Sequence, residues 1–210
     1  MNPQEAAIFE AINGGALEMA TPFLGNAEIV QQAQIGAAVL GGPVGFKGRF
    51  ESTTLKNWLL RGYFRPYKRL SGVRNYLYSG SDLMALLTMA YLVEFGIPVE
   101  VASYVAAEIR EKLILNPKWD GDLDSVAHRI VALSRIPVGE ERSDIPGAND
   151  YLVTLPDFAV ESKPDVVEWL GRRHLAGALF IDWKFIAKVA IELTQRVWRA
   201  KAEQLVRERK

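Results

Sequence analysis

The chain has 210 residues and no net charge, because 25 lysines and arginines balance 25 aspartates and glutamates. Apolar residues make up 49% of it, the share of an ordinary globular protein, which excludes a disordered chain, a collagen or a supercharged tail. Cysteine is absent, so disulfides, thiolate zinc sites, iron–sulfur clusters and a cysteine nucleophile are excluded and a reducing cytoplasm is favoured. The length allows one large domain or two small ones.

The first 25 residues do not resemble a targeting signal. They lack a basic start and carry Glu5, Glu10 and Glu18 where a signal peptide is apolar. Apolar runs such as 83–93 are far shorter than the roughly 20 residues that a bilayer requires. We therefore expect a soluble, cytoplasmic protein without a membrane partner.

The charge is unevenly distributed along the chain. Between residues 46 and 74 there are eight basic residues and one acid, Glu51, so this stretch carries +7 and the remainder −7. No carboxylate occurs from Ser52 to Ser81. We call this stretch, residues 46–74, the basic segment. Its basic residues are Lys47, Arg49, Lys56, Arg61, Arg65, Lys68, Arg69 and Arg74.

Two helices are predicted before and within the basic segment. Apolar residues at helical spacing predict a helix over 26–40, with Asn26 as its N-cap and Gly-Gly-Pro after its end. A short helix over 52–61 follows, with Ser52 or Thr53 as its N-cap.

A hairpin and a third helix come next. Gly62 is expected as the residue after the C-cap of the short helix. Segments rich in tyrosine and basic residues flank the turn signal Ser71-Gly72, a pattern that predicts a small hairpin. Ser81 or Asp82 is the predicted N-cap of the third helix, which Gly96 ends.

The second half of the chain predicts both helices and strands. A helix over 98–113 begins at a proline, and another is predicted over Asp124–Arg135. The runs Tyr151–Leu155 and Leu175–Ile181 predict two strands that pair with each other. A long amphipathic helix follows from about Asp182.

The apolar stripe of that last helix needs a partner. Phe185, Ile186, Val189, Leu193 and Val197 recur mostly at three- and four-residue intervals. Two alternatives stay open: the stripe packs on the chain's own 151–181 segment, or it forms a homodimer. The 150–181 region is alternatively a small sensor for a small-molecule or protein effector.

Several short motifs stand in a characteristic order between Thr54 and Ala106. They are Thr54-Leu55-Lys56, Trp58, Gly62, Pro66, Gly72-Val73-Arg74, Asp82-Leu83 and Gly96-Ile97. In this order the stretch resembles the DNA-binding domain of the MerR-type transcription regulators. There a recognition helix beginning Thr-Leu-Arg ends in Gly and precedes a basic wing and two further helices.

Two features depart from the family pattern. The connection over 41–53 is much longer than the three- to four-residue turn of a helix-turn-helix. The wing is also slightly long, so that either Tyr76 or Tyr78 corresponds to the family tyrosine.

The resemblance implies a fold class and a domain organisation. The fold is mainly α with a small β component: a winged helix-turn-helix followed by a small α+β region that ends in the long amphipathic helix. Residues 1–25 are an N-terminal extension, 26–113 the MerR-like DNA-binding domain, and 114–210 a dimerisation or effector region.

The basic segment predicts a DNA-binding face independently of the family, because phosphate contacts need cations presented from rigid elements. If Leu55, Trp58 and Leu59 face the core, the other side of the second helix is exposed. Lys56 and Asn57 are the candidates for base edges, since Lys suits guanine and Asn suits adenine. The predicted DNA-binding residues are Thr54, Lys56, Asn57, Arg61, Arg65, Lys68, Arg69, Arg74 and Tyr76, with Ser52, Thr53, Tyr63 and Tyr67 as further hydroxyl donors.

Other chemistry has little support in the sequence. His128 and His174 have no metal-spaced neighbours and are expected to be structural. The alternating aspartates over 120–124 mimic a calcium loop, but its later positions lack the required Gly and Glu. The glycine-rich stretch 41–45 lacks the lysine of a phosphate loop. We expect no enzyme, no cofactor and no metal.

Three functions are compatible with these features. The first is a sequence-specific regulator of transcription that binds duplex DNA as a homodimer, through a recognition helix and a basic wing. The second is a phage or mobile-element architectural protein, such as an excisionase or a terminase small subunit, that uses a similar fold. The third is a protein-interaction adaptor whose basic segment binds an acidic partner. The alternative to all three is that the basic segment is only a solvated face.

Overall fold

The computed structural model describes residues 22–41, 50–66, 76–110, 130–135, 151–154 and 179–208. This part of the chain is mainly helical with a small sheet, as the sequence predicts. Its helices are α1 (Asn26–Leu40), α2 (Ser52–Leu60), α3 (Gly80–Glu94), α4 (Val99–Ile109) and α5 (Trp183–Glu208), and its strands are β1 (Ile130–Arg135), β2 (Tyr151–Thr154) and β3 (Leu179–Asp182).

Helix α3 lies at the centre of the core. It packs against α1, α4 and α5, and its residues from Gly80 to Met89 are all buried. A helix that is apolar on nearly every side must be enclosed by other elements, and the sequence of α3 meets this condition. The core therefore forms around α3, and the other helices are positioned relative to it.

Helices α1, α3 and α5 approach each other closely at Gly36. A Cβ atom built at this glycine would lie 2.7 Å from one methyl carbon of Leu87 and 3.2 Å from a methyl carbon of Leu193. Any side chain at position 36 would push these neighbours apart, because cores are packed to near-crystalline density. The absence of a side chain here lets three helices share one contact point.

Most of the apolar stripe of α5 is buried within the chain, although Phe185 is 46% exposed. Ile186, Val189 and Leu193 belong to the main core, and α5 packs on α1 and α3. Packing within the chain is therefore observed for this stripe, with α1 and α3 as its main described partners. Most of the 151–181 segment lies outside the described residues, and its described Ile181 belongs to the same core. An edge-to-face contact between Phe23 and Trp198, with ring centroids 5.8 Å apart, extends this packing.

The described strands form one antiparallel sheet in the order β2-β1-β3. Leu133 of β1 pairs with Val153 on one side and with Leu179 on the other. The two predicted strands are present, but the prediction that they pair with each other is wrong because β1 lies between them. The predicted Asp124–Arg135 helix is also wrong over 130–135, where a short apolar run suited either structure and strand pairing decided between them.

The predicted spans of α1, α2 and α3 are close to those observed, but their predicted N-caps are wrong by one to three residues. Gly25 precedes α1, and its N–H donates to the Glu28 carboxylate at 2.7 Å. Glu51, rather than Ser52 or Thr53, caps α2. The cap of α3 is Ser79, rather than Ser81 or Asp82.

Ser79 is the N-cap of α3 because it forms a capping box with Asp82. The N–H of Asp82 donates to Ser79 Oγ at 3.2 Å, and the N–H of Ser79 donates to Asp82 Oδ2 at 2.8 Å. Two backbone donors at the start of the helix are thereby satisfied reciprocally. Asp82 is the third residue of the helix, and its carboxylate also forms an ion pair that is described below.

Glycine ends two helices as predicted. Gly62 has φ 73° and Gly96 has φ 77°, values that L-residues with side chains rarely adopt. After α3, the N–H of Gly96 donates to Val93 O and that of Ile97 donates to Leu92 O, which together form a Schellman motif.

A single β-bridge joins the segments that precede α1 and α3. The N–H of Leu24 donates to Tyr78 O at 2.9 Å, and the N–H of Tyr78 donates to Leu24 O at 2.8 Å.

The predicted hairpin turn at Ser71-Gly72 lies outside the described residues. None of the described helices combines the length and apolarity needed to cross a lipid bilayer.

Candidate nucleic-acid interface

Helix α2, the predicted recognition helix, is anchored by a small apolar contact. Leu55 and Trp58 are buried on its inner side. Trp58 contacts Phe50 edge to face, with ring centroids 5.5 Å apart. The carbonyl of Phe50 in turn accepts a hydrogen bond of 2.7 Å from Gln34 Nε2 of α1. The helix is therefore held to α1 from its inner side.

The outer side of α2 carries the predicted base-contacting residues. Lys56 and Asn57 are exposed, and Thr54 is half-buried near the helix start. Arg61, the C-cap residue, is exposed at the other end. The helical periodicity of the sequence predicted this division between buried and exposed side chains.

The segment that leaves α2 is fixed on one side of α4. Tyr63 donates its hydroxyl to Glu100 Oε1 at 2.8 Å, and Ser103 donates its hydroxyl to the carbonyl of Tyr63. Arg110 Nη1 donates to the carbonyl of Arg65 at 2.9 Å. Three side chains spaced along α4 and its C-cap thus hold the backbone over residues 63–65. The exposed guanidinium of Arg65 is presented from this fixed backbone.

Arg110 also forms an ion pair with Asp82 at the start of α3. Its Nη1 lies 3.1 Å from Asp82 Oδ1, and the Asp82 side chain is fully enclosed. The other carboxylate oxygen of Asp82 accepts from the N–H and the hydroxyl of Ser79. One guanidinium therefore connects the capping box of α3 to the segment after α2.

The Tyr63–Glu100 hydrogen bond changes the acidity of both groups. The pKa of Glu100 is lowered, first by a backbone hydrogen bond to its own N–H and then by the Tyr63 hydroxyl, with a further contribution from the positive charge of Arg61. The pKa of Tyr63 is raised, chiefly because its hydroxyl donates to that carboxylate. At neutral pH the neutral phenol and the ionised carboxylate are therefore the favoured pair.

Tyr76 and Tyr78, in the segment that precedes α3, differ in exposure. Tyr78 is fully buried, and its hydroxyl donates to Asn26 Oδ1 at 2.8 Å. Burial raises the pKa of Tyr78 well above its ordinary value. Tyr76 is half-buried, with its ring centroid 6.3 Å from that of Tyr78. Of the two candidates for the family tyrosine, Tyr76 is the one that a partner can reach.

Six of the nine predicted DNA-binding residues lie within the described part of the chain. Thr54, Lys56 and Asn57 lie on α2, Arg61 and Arg65 follow it, and Tyr76 lies close to α2 across the groove described below. Lys68, Arg69, Arg74 and the hydroxyl donor Tyr67 lie outside the described residues.

Sequence reasoning missed the residues of α4 that hold the segment after α2. Glu100, Ser103 and Arg110 share one helix face, a pattern that is visible in the sequence. Nothing in the sequence, however, indicates what that face contacts. His128, His174 and the aspartates over 120–124 lie outside the described residues, and within the described part no cluster of three or more metal-ligating side chains occurs.

Comparisons with protein-family models and with curated proteins give no match to this chain.

Proposed function

We propose that the protein is a MerR-like winged helix-turn-helix regulator that binds specific duplex DNA sequences and controls transcription. Helix α2 is the recognition helix in this proposal, and the basic segment around it supplies the phosphate contacts. The protein acts in the cytoplasm as a binding protein rather than as an enzyme.

The observation that carries the proposal is the outer face of α2. Lys56, Asn57 and Arg61 are exposed on one short helix whose inner side is anchored by Leu55 and Trp58. A helix that enters the major groove needs this combination of a fixed inner side and hydrogen-bonding side chains near its start. Phosphate contacts from Arg65 are favoured because its backbone is held by Arg110.

The charge distribution supports the same face. The basic segment carries +7 and the remainder of the chain −7. A DNA duplex would be attracted to the basic segment and repelled by the rest, which orients the encounter. An evenly charged neutral protein would gain no such orientation.

A homodimer remains part of the proposal because two recognition helices bind a two-fold symmetric site more tightly than one. The buried residues of the α5 stripe pack against α1 and α3. A dimer would therefore use a surface other than these buried residues.

A salt titration of duplex binding tests this function. Fluorescence anisotropy with a pool of short duplexes, followed by selection of the tightest sequences, gives the affinity at each salt concentration. We expect the logarithm of the association constant to fall with the logarithm of salt concentration with a slope of several units, together with a preference for selected sequences. Lys56→Gln should weaken binding, and the control Lys188→Gln, an exposed lysine on α5, should not.

Two outcomes would contradict the proposal. Absence of duplex binding at low salt would exclude both the regulator and the architectural protein. Binding to an acidic protein or polyglutamate with no preference for DNA would instead identify an adaptor.

A further inference from the structure

A groove opens beside the recognition helix, between the first turn of α1 and the length of α2. It has a volume of about 700 Å³. Pockets for small organic ligands measure about 300–1,000 Å³, so this groove is of that class. Its described lining residues come from α1, α2 and the segment before α3, where Tyr76 contributes.

The walls of the groove are mainly apolar. Val30 of α1 faces Leu55, Leu59 and Leu60 of α2, and the ring of Tyr76 adds a further apolar surface. Leu60 is 74% exposed. Among the leucines whose side chains the structure describes, it is the only exposed one. Water contact with this much aliphatic surface is unfavourable, and a bound apolar group would relieve it.

Lys56 supplies the only charge among the lining residues that the structure describes. Within the described part of the chain it has no hydrogen bond or ion pair, whereas Glu28, in the first turn of α1, is engaged by the Gly25 N–H and by Lys201. The other polar side chains among the described lining residues are Asn26, which already accepts from Tyr78, Ser52 and Tyr76, each of them uncharged. An apolar groove with one unpaired cation is complementary to a molecule with an apolar body and one negative charge.

We propose that this groove binds a small amphipathic anion, an aliphatic or aromatic carboxylate whose charged end pairs with Lys56. The apolar body lies against Val30, Leu59 and Leu60. The ligand is a free molecule in solution rather than a membrane lipid.

The site has a regulatory consequence that rests on the proposed function. Lys56 is also a candidate base contact. Its ammonium group cannot pair with the ligand and donate to a guanine at the same time. The ligand and DNA therefore compete, and by linkage each lowers the apparent affinity of the other by the same factor.

The experiment compares octanoate with 1-octanol on the full chain at pH 7.5, in the absence of DNA. The two probes share an alkyl chain and differ in charge. Isothermal titration calorimetry should give saturable 1:1 binding, with octanoate about fivefold tighter than octanol, the gain of a partly exposed ion pair. Amide chemical-shift changes should map to residues 26–30, 52–60 and Tyr76.

Three variants separate charge from shape. Lys56→Met should lower octanoate affinity to that of octanol and leave octanol binding unchanged, whereas Lys56→Arg should retain the difference. Leu60→Glu, at an exposed position, should weaken octanoate binding more than tenfold by placing a like charge at the groove. The matched control Val206→Glu, at an exposed position of α5, should bind octanoate normally.

Specific results would overturn the inference. Each of four results would do so: absence of saturable octanoate binding, equal affinity for octanoate and octanol, amide chemical-shift changes outside the groove, or binding only to anionic lipid vesicles. Because DNA is absent from these titrations, octanoate binding without duplex binding would leave the site intact and refute the regulator. Duplex binding without octanoate binding would do the reverse.

Discussion

Arg110 and Asp82 form an ion pair of 3.1 Å in which the carboxylate side chain is fully enclosed and the guanidinium side chain is 11% exposed. The pair lies where three parts of the protein meet: the start of α3, the C-cap of α4 and the segment after α2. Because the same Arg110 nitrogen also donates to the carbonyl of Arg65, the core and the proposed DNA-binding face share one side chain.

Arg110→Met should therefore destabilise the protein strongly. Removing one partner of a buried pair leaves the other charge without compensation, and we expect the free energy of unfolding to fall by about 3 kcal/mol. Urea denaturation followed by circular dichroism measures it. The control is Arg207→Met, which removes a surface pair whose side chains are 81% and 69% exposed and should cost less than about 0.5 kcal/mol. Equal losses in the two variants would contradict the assigned role.

Gly36→Ala tests the close approach of α1, α3 and α5. An alanine in a helix ordinarily stabilises by about 1 kcal/mol relative to glycine. At this position its Cβ would lie 2.7 Å from a Leu87 methyl carbon, and overpacking typically costs about 1–3 kcal/mol. We expect a net loss of about 1 kcal/mol, measured by urea denaturation.

The reciprocal change Ala38→Gly, at an exposed position of the same helix, is the control for helix propensity. It should lose about 1 kcal/mol without any packing change. If Gly36→Ala raised stability by a similar amount, the helices would not be in close contact at that point.

The Tyr63–Glu100 hydrogen bond should make the segment after α2 sensitive to pH at both extremes. The lowered pKa of Glu100 means that its contribution is present above the ordinary value of 4.5 and is lost as pH falls through the folded-state pKa. The raised pKa of Tyr63 means that its contribution is present below 10.0 and is lost as pH rises through its folded-state pKa.

Tyr63→Phe isolates this bond. In an NMR titration of the Glu100 carboxyl carbon, the variant should show a higher pKa than the wild type, because one of the causes of the lowering is removed. The pKa should stay below the ordinary value, since the backbone hydrogen bond of Glu100 remains. An unchanged pKa of Glu100 in the variant would show that the tyrosine hydroxyl does not donate to it.

Asn57→Ala and Arg74→Ala should affect duplex binding in different ways if α2 is the recognition helix. Loss of a base contact at Asn57 should reduce discrimination between target and altered sites by about 1–3 kcal/mol. Loss of a phosphate contact at Arg74 should weaken all duplexes about equally and lower the salt slope by about one unit. Anisotropy titrations against target and altered duplexes measure both. Unchanged affinity in both variants would show that the DNA-binding face has been assigned to the wrong residues.

The features predicted correctly from the sequence are those that depend on near neighbours. Helix α1 was predicted over its observed span because apolar periodicity and glycine act within a few residues. The buried Leu55 and Trp58 and the exposed Lys56 and Asn57 follow from the helical repeat alone.

The features that were missed depend on distant parts of the chain. Strand β1 was predicted as a helix because its short apolar run suits both structures, and only pairing with β2 and β3 selects the strand. The bond from Arg110 to Arg65 joins residues 45 positions apart. The groove beside α2 likewise arises from the relative placement of two helices and Tyr76, which local sequence patterns do not specify.

The position of α5 also determines when the protein can fold during synthesis. Lys201 donates to the carbonyl of Phe23 across 178 positions of sequence, and Leu193 closes the contact around Gly36. The ribosome releases α1 and α3 long before α5 emerges, so their shared apolar surface stays uncovered until α5 has been synthesised. A chain truncated before α5 would leave the apolar surface of α1 and α3 exposed to chaperones and proteases. The abundance of the truncated protein would therefore be lower than that of the full chain.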